Sequence, residues 1–468
     1  MVKRYLPVLV ALSLTGCATN SELNKNIQFP DVPESWQLTE SSIEVQDDWL
    51  SQFNQSQLKA LVDEALLQNY ALRQQAYDAE ILEQRLIQSK ADFWPTLDAD
   101  FSSGRSRSVS TDITSTSHSI GLESGIEIDI WGKLSAAQQQ ANLDYLASKA
   151  LYQQSRQDLV ASVVSGWFNL LTAAQLKDLS ERRVENAKQN LQIIESGYRQ
   201  GLNSALDVYL SRNELNSEIS NLEDQHTSLL QEARTLERLL GRYPSGTIAS
   251  AVKGVNLPLL ETDVPVGLPS DIITRKPELQ SSWYQVLAQD AGLAYAHKQR
   301  FPSLNLSASI SDSASELSDL LSGPSFAWSL LGSVTAPIFR AGSLKAEEEV
   351  ARIQLKQQEQ AYLDTLYEAF SDVENALTTE LGLQKSYVAT QNASENARAA
   401  ETLSFEQYQK GLVTYTTVLE AQGRSFDAQN ALIQIKNQLL ANRVDLYVAL
   451  GGDFTESQNN QEDVLINE

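Results

Sequence analysis

The sequence contains an internal duplication, and this feature constrains the fold most strongly. Tyr198-Arg-Gln-Gly201-Leu202 returns 210 positions later as Tyr408-Gln-Lys-Gly411-Leu412. An earlier pair, Trp94-Pro95 and Phe301-Pro302, is separated by 207 positions, so a short insertion lies in the second half. Two copies of one supersecondary unit are therefore expected. The 210-residue register also carries Val208, Leu222, Leu229, Leu236 and Leu240-Gly241 onto Val418, Leu432, Leu439, Leu446 and Leu450-Gly451.

Each half is predicted to be mostly helical. Trp49 to Lys90 has a helical pattern, and residues 133–200 contain no proline and two glycines. At 1.5 Å per residue the second of these segments would be about 100 Å long. The return helix carries apolar residues at alternating spacings of four and three, which is typical of coiled-coil packing. This seam consists of Leu215, Ile219, Leu222, His226, Leu229, Ala233, Leu236 and Leu240, and His226 is interpreted as a packed residue rather than a ligand.

Segments of alternating polarity lie between the helices. Residues 119–130 carry polar residues or glycine at every odd position and mostly Ile or Leu at the even ones. The same period occurs in 97–102, 304–311 and 326–338. Strands of about ten residues with aromatic residues near their ends suit a transmembrane barrel, although a soluble sandwich uses the same alternation. The acids expected to face a water-filled lumen are Glu123, Glu127 and Asp129.

Four strands cannot close a barrel, and an open sheet edge is not tolerated in hydrocarbon. Two chains would supply eight strands, whose interior is filled by side chains, whereas three chains would supply twelve and leave an aqueous lumen. The sequence therefore predicts a homotrimer whose long helices gather into a tube below the barrel.

The N-terminus predicts export and lipidation. Lys3 and Arg4 precede a short apolar stretch, and Leu14-Thr15-Gly16-Cys17 has the form of a lipobox. About ten apolar residues are too few to span a bilayer. Cys17 is the one cysteine in the chain, and acylation there would anchor the protein in a membrane. Residue 18 is alanine rather than aspartate, which favours the outer membrane.

Composition argues against other functions. A net charge of −24 repels phosphate backbones, so no nucleic-acid partner is expected. The three histidines are far apart and one cysteine cannot form a thiolate site, so we expect no metal and no cofactor. The sequence has no Gly-rich phosphate loop and no G-x-S-x-G motif. No catalytic residues are assigned, and the protein is not expected to be an enzyme.

These features predict five parts of the chain. The first and last are a lipoprotein signal peptide and an acidic tail without a fixed fold. The parts are the signal peptide 1–16, an extended anchor segment 17–40, a first repeat 41–260 (helix, strand pair 96–130, long helices 133–200 and 204–240), a second repeat 261–452 (helix, strand pair 302–338, long helices 341–410 and 413–450) and the tail 453–468.

Nearly the whole chain resembles the outer-membrane factor family, the TolC-like efflux lipoproteins. The specific elements are the lipobox, Gly267-Leu-Pro-Ser-Asp271 with Arg275-Lys-Pro-Glu-Leu279, Asp372-Val-Glu-Asn-Ala-Leu377, and the paired Gly-Leu turns. The second element is more similar to the branch that serves resistance-nodulation-division drug pumps than to the protein-secretion branch. The resemblance implies a mainly α fold with transmembrane β: a trimeric 12-strand barrel, four strands per chain, continuous with an α-helical coiled-coil periplasmic tunnel.

The resemblance also implies function and partners. The protein would be a passive outer-membrane channel that conducts drugs and other small toxic molecules from an inner-membrane transporter. A periplasmic adaptor, the membrane fusion protein, would contact the hairpin tips at Gly201, Leu202, Gly411 and Leu412. The tips would also form the gate. Matching by the tip glycines assigns to this gate Asp207, Tyr408, Glu420 and Thr417.

Each gate residue has a role in this resemblance. Asp207 and Tyr408 fall where an acid and a tyrosine hydrogen-bond across neighbouring coils. Glu420 falls in an acidic ring at the constriction, and Thr417 stands where the family carries another acid. Val413 stands where some members have a restraining arginine.

Two other functions fit part of the sequence. One is an outer-membrane duct for type I protein secretion. The other is a lipid-anchored periplasmic coiled-coil protein without a pore, against which the amphipathic strand pairs argue. A general porin is disfavoured because porins are built almost wholly of strands.

Overall fold

The computed structural model describes residues 32–37, 48–110, 112–258, 266–267, 269–320 and 326–454. Cys17, the signal peptide, most of the segment 17–40 and the tail beyond residue 454 lie outside the described residues. The described elements are, in chain order, α1 (Ser56–Gln68), α2 (Tyr70–Ala91), β1 (Thr96–Ser108), β2 (Ile113–Ile128), α3 (Lys133–Arg199), α4 (Ala205–Leu239), α5 (Asp271–Arg275), α6 (Pro277–Lys298), β3 (Ser303–Ala314), β4 (Ala327–Thr335), α7 (Ser343–Gln409) and α8 (Tyr415–Ala449).

The segment from Trp49 to Lys90, which has a helical pattern, is interrupted in the structure. Asn69 has extended backbone angles (φ −66°, ψ 125°) and separates α1 from α2. Its Oδ1 accepts a hydrogen bond from the backbone N–H of Leu72 at 2.9 Å, and its Nδ2 donates to the carbonyl of Leu239 at 2.9 Å. Asparagine is a favoured residue at helix starts because its side chain satisfies a free N–H group there. The break therefore depends on this cap and on a carbonyl 170 residues away.

The four long helices all end in the same type of turn. Gly201, Gly241, Gly411 and Gly451 follow these helices with φ between 68° and 76°. In each turn the next backbone N–H donates back to a carbonyl five residues earlier, for example from Leu202 to Gly197 at 2.9 Å. This is the Schellman arrangement, which needs a left-handed residue and so favours glycine. The helices α3 and α7 have 67 residues each, and α4 and α8 have 35 each.

The seam predicted along α4 is buried in only one half of the helix. Leu229, Ala233 and Leu236 are buried, whereas Ile219 and His226 are exposed. The interpretation of His226 as a packed residue is therefore wrong for the single subunit. The apolar pattern continues beyond the surface that this chain itself can cover.

The four strands form one antiparallel sheet in the order β1-β2-β3-β4. β1 and β2 belong to the first repeat and β3 and β4 to the second, so the β2–β3 pairing joins the repeats. The strands are shorter than the predicted strand pairs because the chain leaves the ladder before it enters α3 and α7. The start of β1, the end of β2, the start of β3 and the end of β4, which adjoin the helical segments, lie at one end of the sheet.

The chain divides into two compact units, and each takes segments from both repeats. One contains residues 77–150 and 279–365, which include the sheet, and the other contains the described residues of 32–76, 151–278 and 366–454. The repeats are therefore interleaved. The core of the second unit contains a pair of stacked aromatic rings: Trp49 stacks on Tyr447 with centroids 5.6 Å apart.

One stretch of α3 is long and apolar enough to cross a membrane, the one such stretch among the described residues. Of that stretch, 67% is buried inside the fold. Val163, Val164, Leu170 and Leu171 of α3 are fully buried in the core of the second unit. This burial indicates a core helix.

Candidate functional site

The sheet has one apolar and one polar face. The strand register aligns Ala99, Leu122, Ile310 and Trp328 in one row across the four strands. Because side chains alternate along a strand, the next row faces the opposite side. That row consists of Asp98, Glu123, Ser309 and Ser329. Trp328 is 75% exposed. Such a sheet is suited to contact with lipid on one side and water on the other.

The predicted lumen acids occupy different environments. Glu123 and Glu127 lie in β2 on the polar face, and Glu127 pairs with Lys133 at 2.6 Å. Asp129 lies outside the strand, contrary to the prediction, because β2 ends at Ile128. Its carboxylate accepts hydrogen bonds from the backbone N–H groups of Leu134 (3.1 Å) and Ser135 (2.9 Å). Burial raises the pKa of Asp129. These hydrogen bonds and one from the Ser135 hydroxyl lower the pKa by more than burial raises it, so the net shift is downward.

Aromatic residues mark the four junctions between strands and helices. Trp94 precedes β1, Trp131 follows β2, Phe301 precedes β3 and Phe339 follows β4. Trp131 stacks on Phe301 with centroids 5.4 Å apart, whereas Trp94 and Phe339 are exposed. Aromatic girdles of this kind mark the membrane–water interfaces of transmembrane barrels.

The two hairpin tips share a turn but differ in their caps. Gly201 and Gly411 have positive φ, and Leu202 and Leu412 are 76% and 70% exposed. At the first tip the Ser204 hydroxyl accepts from the Asp207 N–H, while the Asp207 carboxylate accepts from the Ser204 N–H, which forms a capping box. Thr414 and Thr417, the counterparts of Ser204 and Asp207, form no such box. The bare backbone and the exposed leucines make each tip accessible to a partner.

Asp207 and Tyr408 have different hydrogen-bond partners in the single subunit. Within the described chain the Asp207 carboxylate is engaged by Ser204, and the Tyr408 hydroxyl donates to Oδ1 of Asn203 at 3.1 Å. Burial raises the pKa of Tyr408, and the nearby charges of Asp207 and Tyr415 raise it further. Asn203 was missed from the sequence, although it directly follows the Gly-Leu turn. Its Nδ2 also donates to the carbonyl of Ile194 at 3.0 Å, so Asn203 connects Tyr408 to the end of α3.

Glu420 and Thr417 are exposed on the first turns of α8. The Thr417 hydroxyl lies 3.3 Å from that of Thr414. The helix therefore presents one acid and one hydroxyl, and the structure does not bring Glu420 together with Asp207 or Tyr408 in a hydrogen bond among the described residues.

A charged cluster farther from the tips was also missed. Arg183 of α3 pairs with Glu218 at 2.7 Å and with Glu214 at 3.1 Å, both on α4. Its guanidinium lies over the ring of Phe426 of α8, 4.3 Å from the centroid. The spacing of Glu214 and Glu218 places both acids on one helix face, which is a signal for a shared cation. Nothing in the sequence selects Arg183 as that cation.

A two-faced sheet of four strands, combined in one chain with paired long helices, defines a subunit of a barrel-forming membrane channel. The profile of the outer membrane efflux protein family matches residues 61–242 and 268–452. The chain belongs to this family. The predictions of an outer-membrane efflux channel, of the fold class of one subunit and of the internal duplication are confirmed.

Relatives and solved structures agree along nearly the whole length. The cation efflux system protein CusC of Escherichia coli O6:H1 is 27% identical over 460 residues, which cover 97% of this chain and 99% of that protein. The solvent efflux pump outer membrane protein SrpC of Pseudomonas putida is 29% identical over 417 residues, 87% of each chain. A crystal structure of CusC superposes with a TM-score of 0.79 at 25% identity and covers 91% of this chain and 99% of that one.

Proposed function

We propose that three copies of this chain form a passive outer-membrane duct of a tripartite efflux system. The duct receives small toxic molecules from an inner-membrane transporter of the resistance-nodulation-division type through a periplasmic adaptor. The observation that carries this proposal is the two-faced sheet, in which β1 and β4 have no further strand partner among the described residues. The proposed function includes no catalytic step.

Closure of the sheet requires neighbouring copies. All neighbouring strands are antiparallel, so β1 and β4 run in opposite directions. The β4 strand of one copy can therefore form an antiparallel pair with β1 of the next copy. Three copies supply twelve strands, enough for a water-filled lumen. The exposed half of the α4 seam, with Ile219 and His226, would be covered by the next copy. Both features support a homotrimer.

The division into two repeats, 41–260 and 261–452, remains part of the proposal, as do the signal peptide 1–16, the anchor 17–40 and the tail 453–468. The two separate segments matched by the family profile support the repeats. Lipidation of Cys17 is supported by a relative named a probable outer membrane lipoprotein, SilC of Salmonella typhimurium, which is 26% identical.

Reconstitution of the purified protein into planar bilayers tests the function. We expect a heat-modifiable trimer with discrete channels that prefer cations, because Glu123, Glu127 and Glu420 carry one sign of charge. In cells, deletion of the gene should raise the accumulation of dyes, antibiotics and bile salts. A coiled-coil protein without a pore would give neither trimer nor channels, and a type I secretion duct would change protein export but leave the accumulation of small molecules unchanged.

A second substrate class, metal cations, is favoured by the acids on the polar face of the sheet. Asp98 lies directly opposite Glu123 in the β1–β2 register. The relative CusC is named a cation efflux protein. The accumulation assay should therefore include metal cations. A rise confined to metals would assign the chain to cation export.

The tip gate gives one further prediction. Replacing Tyr408 with phenylalanine removes the hydroxyl that donates to Asn203. We expect the open probability to rise about 2- to 10-fold, the equivalent of one neutral hydrogen bond. Single-channel recording measures this change. Tyr198→Phe is the matched control, because Tyr198 is the counterpart of Tyr408 on the first hairpin and is exposed.

Asp207→Ala is expected to open the channel as well, but it also removes the cap of α4. Ser204→Ala removes the same capping box but leaves the Asp207 carboxylate in place, so it separates these effects. An unchanged open probability in both Tyr408→Phe and Asp207→Ala would remove these residues from the gate.

A further inference from the structure

The Arg183 cluster connects the two helical hairpins of one subunit. Arg183 lies on α3 and its two acid partners on α4, so the ion pairs stay within the first hairpin. The stacking of its guanidinium on Phe426 reaches α8, in the second hairpin. Nearby, Asn186 Nδ2 of α3 lies 3.5 Å from Glu401 Oε1 of α7. The ion pairs of the cluster therefore lie within the first hairpin, whereas the contact with Phe426 joins the two hairpins.

The duplication shows that the hairpin fold does not need this cluster. In the 210-residue register the counterparts of Arg183, Glu214 and Glu218 are Ala393, Arg424 and Ala428. The second hairpin has the same helix lengths and the same turns without an equivalent set of charges. The cluster is therefore specific to the first hairpin, and it is placed where that hairpin meets Phe426 of the second.

The cluster is buried but incompletely satisfied. The Glu218 side chain is 3% exposed and that of Arg183 is 18% exposed. Arg183 Nη1 and Glu218 Oε2 are buried without a hydrogen-bond partner among the described residues. A cavity of about 100 Å³ adjoins the cluster and is lined by residues of α3, α4, α7 and α8. Partly satisfied polar networks are costly, and a cavity leaves room for a helix to shift, so this contact can be released without breaking a tight core.

We propose that Arg183 is a positioning residue of the gate, which holds α8 against the first hairpin in the closed state. Glu214 and Glu218 orient the guanidinium, which stacks on the Phe426 ring. Parting of the hairpins at the tips moves Phe426 away from the guanidinium, while the ion pairs with α4 remain. This inference rests on the proposed function, because it requires a channel with a closed and an open state.

The test compares Arg183→Gln and Phe426→Leu with the wild type in planar bilayers. We expect each to raise the open probability about 2- to 30-fold, the range reported for residues that modulate coupling without contacting a ligand. The double variant should be no more open than the more open single variant, because the two groups act as one contact. Arg183→Lys, which keeps the charge but loses the flat stacking surface, should be intermediate.

The matched control is Arg182→Gln. Arg182 is the neighbouring arginine, lines the same cavity and is exposed. It should leave gating unchanged. As a rescue, Asn186→Cys and Glu401→Cys joined by a short thiol-specific cross-linker should return Arg183→Gln to the closed state. A purely structural role would lower the thermal stability of the trimer and would not be reversed by this cross-link.

The outcomes separate this inference from the proposed function. If the wild type forms no trimer and no channel, the proposed function fails. If Tyr408→Phe opens a normal channel while Arg183→Gln behaves like Arg182→Gln, the tip gate stands and the Arg183 contact is refuted. Opening by Arg183→Gln that the cross-link reverses supports the inference.

Discussion

Replacing Glu380 with alanine is expected to lower the free energy of unfolding by about 3–5 kcal/mol, because it removes the counter-charge of a buried arginine. Arg443 of α8 and Glu380 of α7 are 2% and 5% exposed, and Nη2 of Arg443 donates to Glu380 Oε1 at 2.5 Å. Asn442 Nδ2 donates to the other carboxylate oxygen at 2.9 Å. Urea unfolding of the protein in detergent, followed by circular dichroism, measures the loss.

Two controls define this effect. Glu181→Ala breaks the more exposed pair between Lys177 and Glu181, and such a pair contributes roughly 0–1 kcal/mol. Replacing both Glu380 and Arg443 with methionine should cost much less than Glu380→Ala, because no charge is left buried. A loss in Glu380→Ala no larger than that in Glu181→Ala would contradict the assignment of a buried pair.

Glu348 is expected to make the stability of the protein depend on pH in the acid range. Burial raises the pKa of Glu348, but hydrogen bonds from Arg300, His297 and Arg352 outweigh it and hold the pKa at about 2. Because the folded-state pKa is depressed, the stabilisation is fully present above the unfolded pKa of about 4.3 and is lost as the pH falls toward 2. The shift corresponds to about 3 kcal/mol at neutral pH.

Glu348→Gln should therefore be less stable at pH 7 by about this amount and should lose part of the pH dependence between about pH 5 and pH 2. Glu347→Gln, one position earlier and exposed, is the matched control. Denaturant titrations at several pH values measure both variants. Equal pH profiles for the two variants would show that the cluster around Glu348 does not stabilise its ionised form.

Much of the local structure could be predicted from the sequence. The long helices begin and end within two residues of the predicted positions, because uninterrupted helix formers end at Gly201, Gly241, Gly411 and Gly451. The strands follow the period of two. Each of these features depends on neighbours a few residues away, which the sequence displays directly.

The environments of single polar residues could not be predicted in the same way. Asp129 was placed in a strand but caps α3, since the strand ends one residue earlier. Within the single subunit the Asp207 carboxylate engages Ser204, because these two residues, three positions apart, form a capping box. The break at Asn69 needs the carbonyl of Leu239. In each case the partners of the side chain depend on the residue at which a strand or helix begins or ends, which a sequence pattern does not fix to one position.

The sequence by itself determined the duplication, the long helices, the amphipathic strands and, through them, membership of a channel family. Only the tertiary structure decided which polar groups meet: Arg183 with Glu214 and Glu218, Glu380 with Arg443, and Glu348 with Arg300, His297 and Arg352. The physical reason is the separation along the chain between the residues that interact. Helix and strand periodicity arises from contacts between near neighbours in the chain, whereas an ion pair depends on the rotation and register of helices that are packed together from distant segments.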